Sequence, residues 1–205
     1  MSEWRLFPAG TVPEYTTVEF FQNHPWVPPG HQRGHSQRIQ MVADLIADLH
    51  AKDPVSSVTD LGAGDGSLLT HLWDLGVPMW GYDAGAENVE RARVNGVDVR
   101  SADLLSDEME YGDLVAASEV VEHLLDPHDF VRNLPGKRIV LSSPSAENEF
   151  WHYEHHAWAW DMDGYKAMVE QAGWTVVEHR ECDAERNFHC GMWQNQRFQA
   201  IAAVR

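Results

Sequence analysis

The sequence predicts an α/β domain, a mainly parallel, seven-stranded sheet with helices on both faces. Three observations predict it. Short β-rich runs alternate with stretches of helical periodicity along most of the chain. A glycine-rich turn, Gly62-Ala63-Gly64-Asp65-Gly66, joins the first such run to the helix that follows. The 205 residues, 43% of them hydrophobic, suffice for one domain with a substantial core and a short appendage.

Residues 1–35 are punctuated by Pro8, Pro13, Pro25, Pro28, Pro29, Gly10, Gly30 and Gly34. They also carry Trp4, Phe7, Tyr15, Phe20, Phe21 and Trp26, too apolar a set for a simple tail. An extended arm or a pair of short helices packed on the domain is expected, with the domain itself at 36–205. From Ser36, a candidate N-cap, Ile39, Val42, Ala43, Ile46 and Leu49 recur at helical spacing as far as about His50. Pro54 separates this helix from a strand at 55–61. After the glycine turn a helix is expected at 67–75, a strand at 79–82, and a helix at 86–95 that Gly96 terminates. Strands follow at 97–101 and 113–117, then a helix at 119–125 and a turn around 129–133. A strand at 138–142 leads into a long loop rich in Trp and His. Then come a helix at 161–172, with Met162, Tyr165, Met168 and Val169 on one side, and late strands at 174–178 and 198–204.

Charge and composition exclude several classes. The formal charge is -17, and residues 103–131 hold nine acidic side chains with no Lys or Arg. Such a field repels a nucleic-acid backbone, so a long nucleic-acid partner is disfavoured. No apolar run approaches the roughly 18 residues of a membrane span. Met1-Ser2-Glu3-Trp4-Arg5 lacks the basic and apolar regions of a signal peptide. Cys182 and Cys190 are the only cysteines, too few for a disulfide scaffold and not a CxxC pair, so a reduced, cytoplasmic setting is expected. Oligomeric state is left open.

Three successive strand ends carry candidate ligand contacts. Gly62 permits a tight strand-to-helix turn, and Gly64 lets backbone approach a ligand closely. Asp83, after the next strand, can accept hydrogen bonds from ribose hydroxyls. Asp103, after the third, can approach an adenine amino group. A dinucleotide fingerprint would want Gly or Ala where Ser67 stands, and Asp65 opposes a pyrophosphate. Residues 60–66 with Asp83 and Asp103 resemble the motifs of class I S-adenosylmethionine-dependent methyltransferases, over roughly residues 36–204. That resemblance implies a Rossmann-like fold and S-adenosylmethionine as methyl donor. It implies cofactor contacts from Asp60 (to the amino-acid end), Gly62, Ala63, Gly64, Asp83, Asp103, Leu104 and Ser118. Arg38, with Gln32, Arg33 and His35, precedes or opens the first helix, where related enzymes close over the cofactor. Arg38 is therefore a candidate for a cofactor or acceptor carboxylate, or for pairing with one of the many acids.

Methyl transfer asks little covalent chemistry of a protein; the site mainly aligns a nucleophile with the sulfonium methyl. The acceptor side centres on Ser118-Glu119-Val120-Val121-Glu122-His123-Leu124. On a helix, Glu119, Glu122 and His123 would share one face. Ser142-Ser143-Pro144-Ser145 and a loop with His152, Glu154, His155 and His156 are expected at the same edge, and such oxygen and imidazole groups suit several divalent ions. The ExxEH string is similar to two branches of the superfamily. One is the small-molecule methyltransferases like those of ubiquinone biosynthesis, also matched by Ala172-Gly173-Trp174. The other is the small-RNA 3′-terminal 2′-O-methyltransferases, which would imply a divalent metal held by Glu119, Glu122, His123 and His156. Ala157 and Ala159 depart from the latter's pattern.

Three roles stay open for this group. Glu119 places the cofactor while Glu122 and His123 pair locally; or the group holds a metal; or His123 is a catalytic base, with Glu119 and Glu122 beside it. Trp151, Trp158 and Trp160 either line an acceptor pocket or pack against the N-terminal aromatics. The leading expectation is a methyltransferase acting on an O, N or C nucleophile of a small-molecule acceptor. The alternatives are a metal-dependent RNA 2′-O-methyltransferase and a non-catalytic cofactor-binding scaffold.

Overall fold

The structure is a computed structural model that describes residues 2–24, 33–189 and 192–205. In chain order its strands are β1 (Glu3–Arg5), β2 (Val58–Leu61), β3 (Met79–Asp83), β4 (Val99–Ser101), β5 (Leu114–Ser118), β6 (Arg138–Pro144), β7 (Trp158–Trp160), β8 (Thr175–His189) and β9 (Met192–Val204). Its helices are α1 (Val18–Asn23), α2 (Arg33–Lys52), α3 (Ser67–His71), α4 (Ala86–Val94), α5 (Pro127–Asn133) and α6 (Met162–Gln171).

Seven strands form one sheet in the order β4-β3-β2-β5-β6-β9-β8. Strands β2 to β6 run parallel, and β9 lies antiparallel to both β6 and β8. The chain steps outward from β2 to β4, then returns to β5 on the other side of β2. This reversal makes the carboxyl ends of β2 and β5 the switch point of the sheet, the place where open α/β sheets bind ligands.

Alternation of side chains across the pleat builds two cores. Leu114, Ala116, Val140, Ala200 and Ala202 face α2, α3 and α4. Val115, Ala117, Ile139, Leu141, Ile201 and Ala203 face α5 and α6. Burial on both faces explains why β5 and β6 read as continuous apolar runs rather than alternating ones. Helix α2 supplies the stripe Ile39, Val42, Ala43, Ile46 and Leu49, all buried.

Several local expectations change. Helix α2 begins at Arg33, which places Ser36 inside it rather than at its cap. The expected helix at 67–75 divides into α3 and a 3-10 turn, Trp73–Leu75. Around 129–133 a full helix, α5, replaces the expected turn, capped by Asp126 and led by Pro127. The helix expected at 119–125 does not form: Glu119 takes a left-handed φ of 58°, and only the 3-10 turn Val121–His123 follows. The late strands run well past 178 and begin well before 198.

The expected Trp/His loop contains β7, which pairs antiparallel with β1 as a separate two-stranded sheet. The Trp160 indole N–H donates to Glu3 Oε2 at 2.7 Å, and Asp161 Oδ1 accepts from both Ser2 N (3.0 Å) and Gly164 N (2.7 Å). Residues 2–5 are thereby tied to the start of α6. Among the described residues, no helix is long and apolar enough to cross a membrane.

Candidate active site

The glycine turn is built for close approach. Gly62, Gly64 and Gly66 adopt φ of 70°, 55° and 78°, a region that side chains other than glycine's rarely enter. A Cβ on Gly62 would stand 2.5 Å from Val120 Cγ2. Backbone N–H groups of Gly62 and Ala63 both donate to Tyr82 O, at 2.8 and 2.9 Å. Asp83 then locks the turn to the end of β3. Its Oδ2 accepts from Gly64 N (2.9 Å), and its Oδ1 from Gly85 N (2.8 Å) and Asn88 Nδ2 (3.0 Å). A carboxylate offers about four acceptor sites, so Asp83 keeps room for one further donor such as a ribose hydroxyl.

Asp60 is buried at the carboxyl-terminal half of β2, and its Oδ1 has no hydrogen-bond partner. Burial, helped by the charge of Asp83 and opposed by Arg38, pushes its carboxyl up to about 8. A buried orphan acceptor is costly unless a ligand donor meets it. It fits the ammonium of a cofactor's amino-acid end. Asp103 instead closes its own turn, accepting from Leu105 N (3.0 Å) and Ser106 Oγ (2.8 Å). An adenine amino group would share those oxygens. Leu104 packs partly buried against the α5/α6 core.

A second line of polar groups crosses the ends of β5 and β6. Arg38 Nη1 donates to Ser118 Oγ (2.6 Å), Ser118 Oγ lies 2.9 Å from Ser142 Oγ, and Ser142 Oγ donates to Glu119 Oε1 (2.9 Å). Arg38 is also 4.0 Å from Glu119 Oε1. Burial pushes Glu119 up to about 7 against the pull of Arg38 and Ser142. The left-handed turn at Glu119 therefore sends its side chain back over the sheet, toward Arg38. It does not share a helical face with Glu122 and His123.

Glu122, His123 and His156 do converge. One ligand atom from each lies within 4.8 Å of the others, and this group is the only such cluster among the described residues. Backbone contacts bring the two segments together: Ala157 N donates to Glu122 O (2.7 Å), and His123 Nδ1 is 3.1 Å from His155 O. The two rings stand 4.7 Å apart, edge to face. Glu122 is fully buried and neither carboxylate oxygen has a hydrogen-bond partner. Burial, then the charge of Glu119, hold its carboxyl well above the usual range. Burial pushes both imidazoles down to about 3, so they are neutral at ordinary pH.

A neutral histidine pair with an unsatisfied carboxylate fits a divalent cation, which would supply the missing partner. In both histidines Nδ1 is engaged, His156 with Glu147 Oε2 at 2.6 Å, which leaves Nε2 for an ion.

Sequence reasoning missed Glu147 and Tyr165. Glu147 sits nine residues before His156 in an irregular loop, where no periodicity points to it. Tyr165 reads as core on α6, yet its buried hydroxyl has no partner and feels the charges of Glu122 and Glu119. Among the other candidates, Trp160 is fully buried and stacks on Trp158 at 6.1 Å, with Phe7 edge-on to Trp158 at 6.3 Å. Trp158 thus packs against the N-terminal Phe7, whereas Trp160 packs against Trp158 and Tyr165. Trp151 lies partly buried in the 145–156 loop. His152 Nδ1 meets Asn148 O (3.3 Å), Glu154 is exposed, and His155 packs against Phe20 at 4.9 Å. Gln32 and Cys190 lie outside the described residues, as do the side chains of Arg33 and His35.

Residues 34–179 match the family model described as "Methyltransferase domain". The chain belongs to this methyltransferase domain family. Its relatives include ubiquinone biosynthesis O-methyltransferases from Bartonella quintana, 30% identical over 125 residues (52% of this chain, 51% of that protein), and from Chelativorans sp., 29% identical over 109 residues (46% and 43%). The chain spans about half the length of these curated relatives.

Similar solved structures include magnesium protoporphyrin IX methyltransferase from Synechocystis with bound S-adenosylhomocysteine (TM-score 0.63, 17% identity, covering 93% of this chain and 96% of that one). The methyltransferase domain of bacterial CtHen1 is also similar (TM-score 0.57, 20% identity, 81% and 98%). At these identities the structures show the fold. The Rossmann-like, S-adenosylmethionine-dependent methyltransferase class expected from residues 60–66, Asp83 and Asp103 is borne out at the level of family and fold.

Proposed function

We propose that this methyltransferase-domain chain transfers the methyl group of S-adenosylmethionine to an oxygen of a small-molecule acceptor. The observation that carries the reading is the turn of Gly62 and Gly64 locked to Asp83 beside the orphan carboxylate of Asp60. The cofactor supplies an electrophilic methyl on a positive sulfonium. The Gly62–Gly66 backbone admits it closely, Asp83 takes a ribose hydroxyl, and Asp60 takes the ammonium. Arg38, with Ser118, faces the carboxylate. Names of the curated relatives support oxygen as the acceptor atom. A cytoplasmic setting remains part of the proposal and rests on the two-cysteine composition.

A second element concerns the acceptor side. Glu122, His123 and His156 hold a divalent cation, supported by the buried carboxylate without partners and the two neutral imidazoles. A histidine held near 3 is a poor base at neutral pH, where a base works best with a pKa close to the medium's. This favours His123 as ligand over proton acceptor. A bound ion makes an acceptor hydroxyl more acidic.

The test is transfer from methyl-labelled S-adenosylmethionine into fractionated small molecules, peptides and RNA, with and without EDTA. Label in the small-molecule fraction, lost with EDTA, is the expected result. EDTA-resistant transfer removes the metal, label in RNA replaces the acceptor class, and cofactor binding with no transfer supports a scaffold.

A further inference from the structure

A ligand histidine must present one nitrogen to the ion and keep the proton on the other, and something outside the ligand set usually decides which. Here the deciding groups come from one loop, residues 145–157. Glu147 is buried, and both its oxygens are engaged: Oε2 lies 2.6 Å from His156 Nδ1, and Oε1 accepts from Tyr153 N at 3.2 Å. The His155 carbonyl does the same for His123, 3.1 Å from its Nδ1. With each Nδ1 engaged in this way, only Nε2 is left to face the cluster. A nitrogen that binds an ion carries no proton, so in the loaded site Nδ1 holds the proton and donates it to the Glu147 carboxylate or the His155 carbonyl.

We propose that Glu147 is a positioning residue for the cation site: it fixes the ring orientation and tautomer of His156 so that Nε2 meets the ion beside Glu122 and His123. This rests on the metal reading given above.

The two supports differ in kind. The His155 carbonyl belongs to the backbone and survives any substitution. Glu147 is a side chain that mutation can remove without touching a ligand. Its hold on Tyr153 N–H also sets the course of the loop between Glu147 and His156, so one carboxylate orders both the ring and the segment that delivers it. No periodicity in the sequence announces this contact.

The test uses the full chain, stripped of metal, titrated with Co(II) and with Zn(II). Wild type takes up one Co(II) with an absorption band from its d electrons, and Glu122→Ala abolishes that band. Glu147→Ala lowers affinity about 10- to 100-fold, the range typical for losing an outer-sphere partner, and alters the band. Glu147→Gln keeps an acceptor but no charge, and loses less affinity than Glu147→Ala. Unchanged affinity and spectrum in both Glu147 variants overturn the positioning role while leaving the metal reading intact. Wild type that takes up no Co(II), or a band that survives Glu122→Ala, overturns both. S-adenosylhomocysteine binding reports folding, and if Glu147→Ala does not fold, Glu147→Gln decides alone: reduced affinity with an altered band supports the role, wild-type values overturn it.

Discussion

Asp83 serves three protein donors before any ligand arrives, so in the proposed function its loss is expected to act on the turn and on the cofactor together. Hydrogen bonds to a charged group contribute about 1.5–3 kcal/mol each. Asp83→Ala is therefore expected to weaken S-adenosylhomocysteine binding roughly 10- to 100-fold in equilibrium dialysis; wild-type affinity would remove Asp83 from the site. Asp60 makes a pH prediction. Its folded value of about 8 stands above the roughly 3.9 of an unfolded chain. Between these the native state holds the extra proton, so this group's contribution to stability falls as pH rises through that window and levels off above it. Asp60→Asn should flatten the decline between about pH 5 and about pH 8 in urea unfolding. At this scale the sequence was most legible where chemistry needs a residue type at a strand end: Gly62, Gly64, Asp60 and Asp83. It was least legible at Glu119. A left-handed residue in a helix-like string cannot be read from composition, and that one φ angle redirects the carboxylate to Ser142 and Arg38.

Strands β2, β5 and β6, which position the turn and the Ser118–Ser142 line, are the elements the sequence marks best: burial on both faces makes 114–117 and 139–141 uninterrupted apolar runs, and the glycine turn marks the end of β2. The β1–β7 pair was not legible: each strand is three residues long, and each becomes a strand only by meeting the other. Glu3 joins that pair to the core, since Oε2 accepts from Trp160 Nε1 at 2.7 Å and lies 2.8 Å from His128 Nε2. Glu3→Ala leaves the buried indole N–H unpaired, at a cost of about 1–3 kcal/mol. A chain of this size loses about 2–4 °C of melting temperature per kcal/mol. Thermal unfolding by circular dichroism is expected to shift accordingly, with cofactor affinity preserved; no shift would deny β1 a stabilising role. In the glycine turn, Gly62→Ala sets a methyl against Val120 and forces an unfavourable φ, at a cost of about 1–3 kcal/mol. Chemical denaturation checks that cost.

At the scale of the molecule, a chain of formal charge -17 gathers the buried Asp60, Glu122 and Glu147 and the half-buried Glu119 at one edge of the sheet, with Arg38 among them. Carboxylates there suit a positive sulfonium and, beside it, a divalent ion. The cofactor half of this edge follows from strand order and the switch point between β2 and β5. The acceptor half depends on a loop and an N-terminal segment whose contacts, such as Phe21 edge-on to His123 at 5.3 Å, come from tertiary packing alone. Cofactor binding at the Gly62–Gly66 turn is the central claim, and calorimetric titration of S-adenosylhomocysteine tests it most directly. The expected result is one site per chain for wild type and no measurable binding for Gly62→Val, provided that variant remains folded. Absence of binding to wild type, or equal binding to both proteins, would contradict it.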